Sequence, residues 1–261
     1  MELQREPLIW MKIAQVCIAF LTLILMISYE ACGYVNYTCL NSTATSAGPY
    51  KNQVCISYPF RLSQQRIVNY CDGPKDAPQQ HIMHVNYDGP SKFFVTITVM
   101  SMMLAAATVG FYLKFWDKYH FTTTFAFPDL IATFTFAAYW LAATFSWGAA
   151  LGGLKDYTSP EQVVDEIKLI SVCHPPIGKC EISSRGWNRY GALDMTILLG
   201  VVSIILWYVN AGMVFNKIQA IKAEYEQGFD ASAHLQYPSI SQTNNGRQRE
   251  PRSYGSQQPM F

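Results

Sequence analysis

The chain has 261 residues, of which 50% are hydrophobic and only 14% are charged, and its formal net charge is +1. Soluble domains carry about a quarter charged residues, so the composition indicates a membrane protein. A near-neutral charge argues against a nucleic-acid partner, because such proteins present a concentrated basic face. Five of the seven cysteines lie in polar segments between apolar ones, which is typical of an oxidising compartment.

The first apolar run covers residues 8–28 and follows a polar N-terminal segment of residues 1–7. Its length predicts a retained transmembrane helix, because the apolar core of a cleaved signal peptide is shorter. Lys12 is the charged residue of this run and lies near its start. We expect its long side chain to reach the membrane interface.

A polar loop is predicted over residues 29–92. Two glycosylation sequons begin at Asn36 and Asn41, and with the cysteines they favour a luminal position for this loop. The segment Tyr58-Pro59-Phe60-Arg61-Leu62 is interpreted as a short β-like patch at one edge of a small disulfide-tied subdomain.

Two more spans are predicted at residues 93–115 and 130–151, joined by a connector over 116–129. A short connector is typical of antiparallel neighbours in a helical bundle. Asp129 ends the connector, where the positive end of the helix dipole favours a carboxylate. A structural role at the start of the helix is therefore expected for this residue.

The third span carries small side chains at every fourth position. We call this set the ridge, and its members are Ala138, Ala142, Ser146 and Ala150. In a bilayer, where apolar burial gives helices little reason to associate, such a ridge lets two backbones approach closely. It is therefore predicted to be a helix contact surface. Its partner is either another helix of the same bundle or a helix of another protein, and we favour the bundle.

A second polar loop over residues 152–189 precedes a fourth span at 190–215. Asp194 lies within about one turn of the predicted boundary, which favours contact with water or headgroups over a place in a pore or a pairing across the bundle. The segment 216–261 is polar, and a charged stretch at its start can continue the fourth helix. The rest of this tail cannot bury enough apolar surface to fold alone.

Few residues of the sequence are candidates for metal binding, catalysis or recognition by another protein. His81 and His84 have a spacing that can bind zinc on a helix, but their turn-rich loop favours solvated side chains. The sequence contains no phosphate-binding loop and no recognisable catalytic triad, so neither enzymatic activity nor a cofactor is expected. In the tail, Tyr237 and Ile240 fit the tyrosine-based sorting pattern that clathrin adaptors read.

These elements predict an all-α membrane protein, a four-helix transmembrane bundle with two disulfide-bearing luminal loops and a disordered cytosolic tail. Cysteines and sequons place both loops in the lumen, and both termini and the connector then face the cytosol. The basic residues support this orientation only weakly, because long loops obey the positive-inside rule poorly.

The residues in these elements resemble the synaptophysin family, tetraspan vesicle proteins of the MARVEL superfamily, from about Glu6 to Phe215. The resemblance rests on the order and spacing of short motifs. They are Glu6-Pro7-Leu8 with Lys12, the CxNxT pattern at Cys39–Thr43, Tyr58 to Leu62, Phe93-Phe94-Val95-Thr96, Trp140-Leu141 with Ser146-Trp147, the C-x6-C pair at Cys173 and Cys180, and the LW-x2-N pattern at Leu206–Asn210. The tail departs from the neuronal members, because only Tyr254-Gly255-Ser256-Gln257 resembles their repeats.

The resemblance implies a MARVEL-like bundle and two disulfides, which join Cys39 to Cys71 and Cys173 to Cys180. Cys32 and Cys55 look like additions to the usual pattern. We hypothesise that these two form a third bridge, from the base of the first loop to the segment before Tyr58.

The resemblance also implies a non-enzymatic multi-pass protein of synaptic or other cytoplasmic vesicles, with roles in exocytosis and endocytosis. Its implied partners are the vesicle SNARE synaptobrevin, cholesterol-rich membrane, the vesicular proton pump and further copies of itself, with a clathrin adaptor on the tail. A channel or transporter is the alternative, but it needs aligned polar residues at mid-membrane, and the spans offer almost none. A claudin-type adhesion protein would show a Trp…Leu-Trp signature in the first loop, which is absent.

Overall fold

Four helices dominate the structure, which is a computed structural model. It describes residues 7–39, 50–68, 79–81, 84–121, 123–159, 162, 165, 178–183 and 189–236. The helices are α1 (Pro7–Ile27), α2 (Asp88–Phe121), α3 (Thr123–Tyr157) and α4 (Gly191–Gln236). Each contains a stretch long and apolar enough to cross a membrane. The shortest, α1, has 21 residues and so spans about 32 Å, against a hydrocarbon core of about 30 Å. The predicted four-helix transmembrane bundle is confirmed.

The helices extend beyond the predicted spans. α2 continues through a kink at Phe115, where φ is −124° and ψ is 29°, and ends at Phe121. α3 begins two residues later, so most of the connector predicted over 116–129 is helical, and Pro128 lies inside α3. α4 runs on to Gln236, as the charged stretch after the fourth span predicts. The chain divides into two compact units, Met1–Ile221 and Lys222–Phe261.

The segments between the helices contain strands that the all-α prediction lacks. They are β1 (Glu30–Cys39), β2 (Tyr50–Ser57), β3 (Arg66–Val68), β4 (Gln79–His81) and β5 (Gly178–Ser183). β1 is the central strand of an antiparallel sheet between β2 and β5, and β3 pairs with β4. This sheet takes strands from both predicted loops, so the described parts of the two loops are joined by strand pairing. We call this end of the bundle the loop end, and the opposite end the terminal end.

Cys32 and Cys55 face each other across β1 and β2 and form a disulfide. The third bridge hypothesised from the sequence is therefore present in the structure. Each pairing implied by the resemblance includes one cysteine outside the described residues, Cys71 in one case and Cys173 in the other. Both pairings stay predictions.

The interior of the bundle has two apolar clusters. The larger lies toward the loop end and includes Met26, Phe94, Trp140, Trp147 and Trp207. The smaller lies toward the terminal end and consists of Leu8, Ile9, Tyr112, Ala126, Val214 and Ile218. Along α1, α3 and α4, buried polar side chains stand between the residues of the two clusters. A polar layer therefore separates two apolar layers inside the bundle.

The interpretation of Tyr58 to Leu62 as a β-like patch holds only at Arg61, which forms an isolated antiparallel bridge with Asn86. The rest of the segment is a turn after β2 that enters a short 3-10 helix at Leu62. Phe60 has a φ of 63° in the left-handed region, and its amide donates to the Ser57 carbonyl at 2.7 Å. The turn sends the Phe60 ring into the bundle, where it is almost fully buried. Burial of this ring and the bridge at Arg61 together hold the turn in this conformation.

The preference for the bundle as the partner of the ridge is wrong for the first half of the ridge, Ala138 and Ala142. Ala138 and Ala142 are exposed and Ser146 is half-buried, while Ala150 is buried. The inward face of α3 is formed instead by Trp140, Ala143, Thr144, Trp147 and Leu151. Since successive residues turn by about 100°, Trp140 lies on nearly the opposite side of the helix from Ala138 and Ala142. Burial of the large indoles points the first half of the ridge outward.

Candidate functional site: a polar layer inside the bundle

Lys12 of α1 is fully buried, so the prediction that it reaches the membrane interface is wrong. Its ammonium lies 3.3 Å from Oδ1 of Asp129 on α3 and 5.1 Å from the centre of the Trp207 ring on α4. An ammonium inside a membrane protein needs such partners, because hydrocarbon offers it none. The counter-ion inside the bundle therefore keeps the side chain from turning toward the interface.

Asp129 connects three helices. It is not the first residue of its helix, because α3 begins at Thr123, so the expected role at the helix start is wrong. Oδ1 accepts from Lys12, and Oδ2 accepts a short hydrogen bond from the Tyr112 hydroxyl on α2. The side chain keeps 11% of its surface exposed. Asp129 is thus held by a cation from one neighbouring helix and a hydroxyl from another.

Thr133 and Asn210 extend the layer toward the loop end. The Asn210 amide nitrogen on α4 donates to the Thr133 hydroxyl at 3.4 Å. The same hydroxyl lies 3.5 Å from both the Lys12 ammonium and Asp129 Oδ1. These distances are at the long end of the hydrogen-bonding range, so each contact is individually weak. Every one of the four helices nevertheless contributes a side chain to the layer.

Gln15 lies three residues after Lys12 and shares its buried face of α1. Its amide nitrogen donates to the Leu206 carbonyl of α4 at 3.3 Å. Within the part of the chain that the structure describes, no donor reaches the Gln15 Oε1 or Asn210 Oδ1 atoms. A buried acceptor without a donor costs about 1–3 kcal/mol. These two acceptors therefore lower the stability of the bundle, whereas the ion pair of the polar layer holds α1 and α3 together.

The Lys12–Asp129 pair restricts the rotation of α1 and α3 about their axes. We call this restriction the lock. A rotation of α1 or α3 would separate Lys12 from Asp129 and leave a bare charge in the interior. Removal of one partner of a buried pair typically costs about 3–5 kcal/mol. The sequence-based statement that the spans offer almost no interior polar residues is therefore corrected, since this layer is polar on all four helices.

A second set of contacts surrounds Phe60 at the loop end. Its ring lies 5.9 Å from the Tyr29 ring and 5.2 Å from the Trp147 ring, measured between centroids. Phe94 of α2 lies 6.4 Å from Trp147, whose indole nitrogen donates to the Thr196 hydroxyl of α4 at 3.0 Å. We call these residues the aromatic cluster. It joins the turn after β2 to three helices.

Polar contacts fix this turn to the start of α2. The Tyr87 amide donates to the Phe60 carbonyl at 3.1 Å, and the Ser91 hydroxyl donates to the Pro59 carbonyl at 3.0 Å. Arg61 lies 3.1 Å from the Asp88 carboxylate. The turn therefore cannot leave the bundle without breaking contacts on both its backbone and its side chains.

Tyr29 is the member of the aromatic cluster that lies just after α1. Burial raises the pKa of its hydroxyl, and the nearby Tyr190 and Asp194 add to the rise. Burial also raises the pKa of Tyr190. Asp194 itself is half-exposed and forms an ion pair with Lys155 of α3, so it has a partner on a neighbouring helix as well as access to the surface.

The remaining predicted site residues are scattered. Asn36 lies within β1 and is half-buried, and its sequon begins nine residues after α1 ends, a reach of at most about 30 Å. Asn41, Tyr237 and Ile240 lie outside the described residues. No relation between these residues and the polar layer follows from the structure.

The two histidines do not share a helix. His81 ends β4, and His84 is exposed in a segment without regular structure. Among the described residues, the one group with clustered metal-binding side chains is Glu30, Cys32 and Cys55. Both of its cysteines belong to the disulfide and offer no thiolate.

Sequence reasoning missed the layer because it treated Lys12 and Asp129 separately, although they lie 117 positions apart and pair directly. One signal was available. Lys12 with Gln15, and Asp129 with Thr133, have the three- and four-residue spacings that place side chains on one face of a helix. A polar pair on one face of a membrane helix indicates a partner helix.

One comparison with known proteins bears on this site. The family model of MARVEL, described as a membrane-associating domain, matches residues 4–213. The matched range contains the polar layer, the aromatic cluster and the sheet that joins the two loops. The chain therefore belongs to the MARVEL family of membrane-associating domains.

Proposed function

We propose that this protein is a non-enzymatic tetraspan of transport vesicles, of the synaptophysin type. In this proposal it associates side by side with a synaptobrevin-type vesicle SNARE and assists its sorting during exocytosis and endocytosis. The observation that carries the proposal is the outward position of Ala138 and Ala142 on α3. These residues supply a surface for a helix of another protein, because their own bundle does not cover them.

The chemistry of the outer face of α3 supports this use. Ala138 and Ala142 form a small-xxx-small pair, and the larger Phe134, Leu141 and Phe145 around them are also exposed. A partner helix can approach the two alanines closely while the larger side chains pack along its flanks. In lipid, such close packing replaces the hydrophobic driving force as the source of affinity.

The polar layer supports the same proposal indirectly. Trp140, two residues from either alanine, is fully buried, and Asp129 ties α3 to α1 and α2 at the other end of the span. With its inner face held at both points, α3 has a fixed rotation. The outward pair is then presented at a constant angle, which lowers the ordering cost of association.

The proposal includes a luminal loop end and cytosolic termini. A disulfide in the sheet fits an oxidising compartment. Asn36 and Asn41 are then available to the glycosylation machinery, and Tyr237 and Ile240 to a clathrin adaptor. Cholesterol-rich membrane, the proton pump and homo-oligomers belong to the same proposal by family resemblance alone.

The experiment is co-purification of the vesicle SNARE from mild-detergent membranes with wild type and Ala138→Leu/Ala142→Leu. We expect the double variant to lose most of the bound SNARE while its thermal stability stays unchanged, since both positions are outside the bundle. Ala106→Leu, at an exposed alanine of α2, is the matched control and should bind like wild type. Equal recovery with the ridge variant would reject the surface, and failure to recover any trafficking protein with wild type would reject the function.

A channel or transporter is a second candidate, because the polar layer places hydrophilic side chains inside the bundle. Its charges, however, are paired with each other, and large apolar residues lie on both sides of it, Trp140 toward the loop end and Val214 toward the terminal end. These features favour a structural role for the polar layer over a role as a pathway for ions or substrates. Conductance of the reconstituted wild type above that of protein-free bilayers would reverse this order.

A further inference from the structure

Two buried amide oxygens of the polar layer have no role in the proposed function. They are Oε1 of Gln15 on α1 and Oδ1 of Asn210 on α4, in residues that are 4% and 0% exposed. Within the described ranges of the chain, neither oxygen has a hydrogen-bond donor. Buried polar atoms of proteins nearly always have a hydrogen-bond partner, which is an ordered water where the chain supplies none. The two oxygens therefore point to a bound molecule that donates hydrogen bonds.

The two amides border one space between α1 and α4. The Gln15 amide nitrogen is 3.3 Å from the Leu206 carbonyl, and Asn210 lies four residues after Leu206, about one helical turn further along α4. The Asn210 amide nitrogen in turn reaches the Thr133 hydroxyl at 3.4 Å, and this hydroxyl lies 3.5 Å from the Lys12 ammonium. Lys12 is three residues before Gln15 and shares its face of α1. The two amides and the ammonium therefore surround the same space.

The contacts of the polar layer leave room for a bridging molecule. The side-chain hydrogen bonds of Lys12, Gln15, Thr133 and Asn210 are all 3.3–3.5 Å long, whereas a charged N–H donor and an oxygen normally approach to about 2.7–2.9 Å. A lysine ammonium has three protons to donate. That of Lys12 has two oxygens at these long distances and the face of the Trp207 ring at 5.1 Å. It can therefore donate to a further oxygen.

The groups around this space select a small neutral ligand. The two amide oxygens need hydrogen-bond donors, which a simple anion lacks. A metal cation would suit the oxygens, but it would lie beside the Lys12 ammonium, and like charges repel strongly where bulk water is excluded. One water molecule meets every requirement, since it donates two hydrogen bonds and accepts one from the ammonium. Three hydrogen bonds are typical of a buried water.

We propose that the polar layer binds one water molecule, which donates to Gln15 Oε1 and Asn210 Oδ1 and accepts from the Lys12 ammonium. The water joins α1 to α4 and gives the two amides the donors that the described residues lack. It makes the polar layer a hydrated site between two apolar clusters. This site is independent of the SNARE association proposed above, because it lies on the inner faces of the helices.

The direct test is a structure of the full chain in lipid at a resolution that shows buried waters. We expect an isolated density peak about 2.7–3.2 Å from both amide oxygens and from the Lys12 nitrogen. Gln15→Met, which has a side chain of similar length and no amide, should lose this peak. Gln219→Met, the same substitution at an exposed position of α4, is the matched control and should keep it.

A second readout uses the oxidation of buried tryptophans. Brief X-ray irradiation of the reconstituted protein produces hydroxyl radicals from bound water, and these oxidise the side chains beside it. Trp207 and Trp147 are 1% and 0% exposed, but Trp207 lies beside Lys12, whereas Trp147 belongs to the aromatic cluster. We expect Trp207 to be oxidised several times faster than Trp147 in wild type and at nearly the same rate as Trp147 in Gln15→Met.

Three outcomes would overturn the proposal. One is a well-resolved wild-type structure without a density peak between the two amides. Another is a peak that becomes stronger when Na⁺ in the buffer is replaced by the heavier Rb⁺, because it would then be a cation. The third is equally slow oxidation of Trp207 and Trp147 in wild type. If Gln15→Met loses its thermal transition, the wild-type peak and the wild-type oxidation rates decide the matter. The SNARE pull-down is a separate readout, so failure of either proposal is recognised without the other.

Discussion

At the loop end of the bundle Phe60, Phe94 and Trp147 meet ring to ring, whereas nearer the terminal end Lys12 and Asp129 meet as opposite charges. Ring contacts tolerate small shifts, because apolar burial has no strict direction. A buried ion pair does not, because either charge alone is costly. The aromatic cluster therefore attaches the loops to the helices, while the polar layer sets the rotation of the helices. This division explains why the first half of the ridge has a defined outward direction.

The largest effect is expected at the polar layer. Lys12→Met keeps the length of the side chain but leaves Asp129 without its cation. We expect the free energy of unfolding in detergent to fall by about 3–5 kcal/mol. Thermal unfolding followed by helical circular dichroism measures this. Leu21→Met, on the exposed face of α1, is the control, and a Lys12→Met protein as stable as this control would contradict the lock.

An effect of nearly the same size is expected from Phe60→Ala. The ring is almost fully buried, and removal of a buried aromatic side chain costs about 3 kcal/mol or more. The loss should be local, so limited proteolysis should cut the loops faster while the helical signal persists. Phe20→Ala on the exposed face of α1 should leave the proteolysis pattern unchanged. Equal protection of the Phe60→Ala and Phe20→Ala proteins would show that the turn is not anchored by its ring.

Trp147→Phe removes the hydrogen bond and part of the buried indole. The variant keeps a ring but leaves the Thr196 hydroxyl without its donor from Trp147 and a small cavity beside it, so we expect thermal unfolding to show a loss of about 2 kcal/mol. Trp10→Phe, at a position with 54% exposure, is the matched control. A loss no larger than in that control would mean that the hydrogen bond contributes little.

The smallest effect is expected from alkaline pH. Burial raises the pKa of Tyr29 above its ordinary value of 10.0, so the unfolded chain ionises first. The stability tied to the neutral hydroxyl is complete below about pH 10 and falls as pH rises toward the folded-state pKa. Thermal unfolding across this range should show a decline that Tyr29→Phe reduces. The same decline in both proteins would assign it to other groups.

The sequence was sufficient for the features that depend on local composition. The four spans follow from long uncharged stretches. The bridge between Cys32 and Cys55 was hypothesised because the family resemblance leaves these two cysteines outside the usual pattern. The sheet was not predictable in this way, because β5 comes from the second loop and pairs with β1 of the first. Strand pairing across about 140 residues depends on how the helices bring the loops together.

The rotation of each helix about its axis was the second feature that could not be predicted from the sequence. The small-residue spacing of Ala138 and Ala142 indicates a contact face, but it does not say whether that face is inside. The answer depends on Trp140 and Trp147, whose burial outweighs close packing of alanines. Similarly, the position of Lys12 near a helix end predicts that its side chain reaches the interface. The structure shows instead that Asp129 lies beside it.

The most direct measurement of the lock is a double-mutant cycle with Lys12→Met and Asp129→Asn. The amide oxygen of Asn can still accept from Tyr112, so the cycle isolates the charge pair. We predict that each single variant loses about 3–5 kcal/mol, while the double variant, which contains no buried charge at these positions, recovers most of that loss. A double variant whose loss equals the sum of the two single losses would contradict the account, because it would show that Lys12 and Asp129 do not act as a pair.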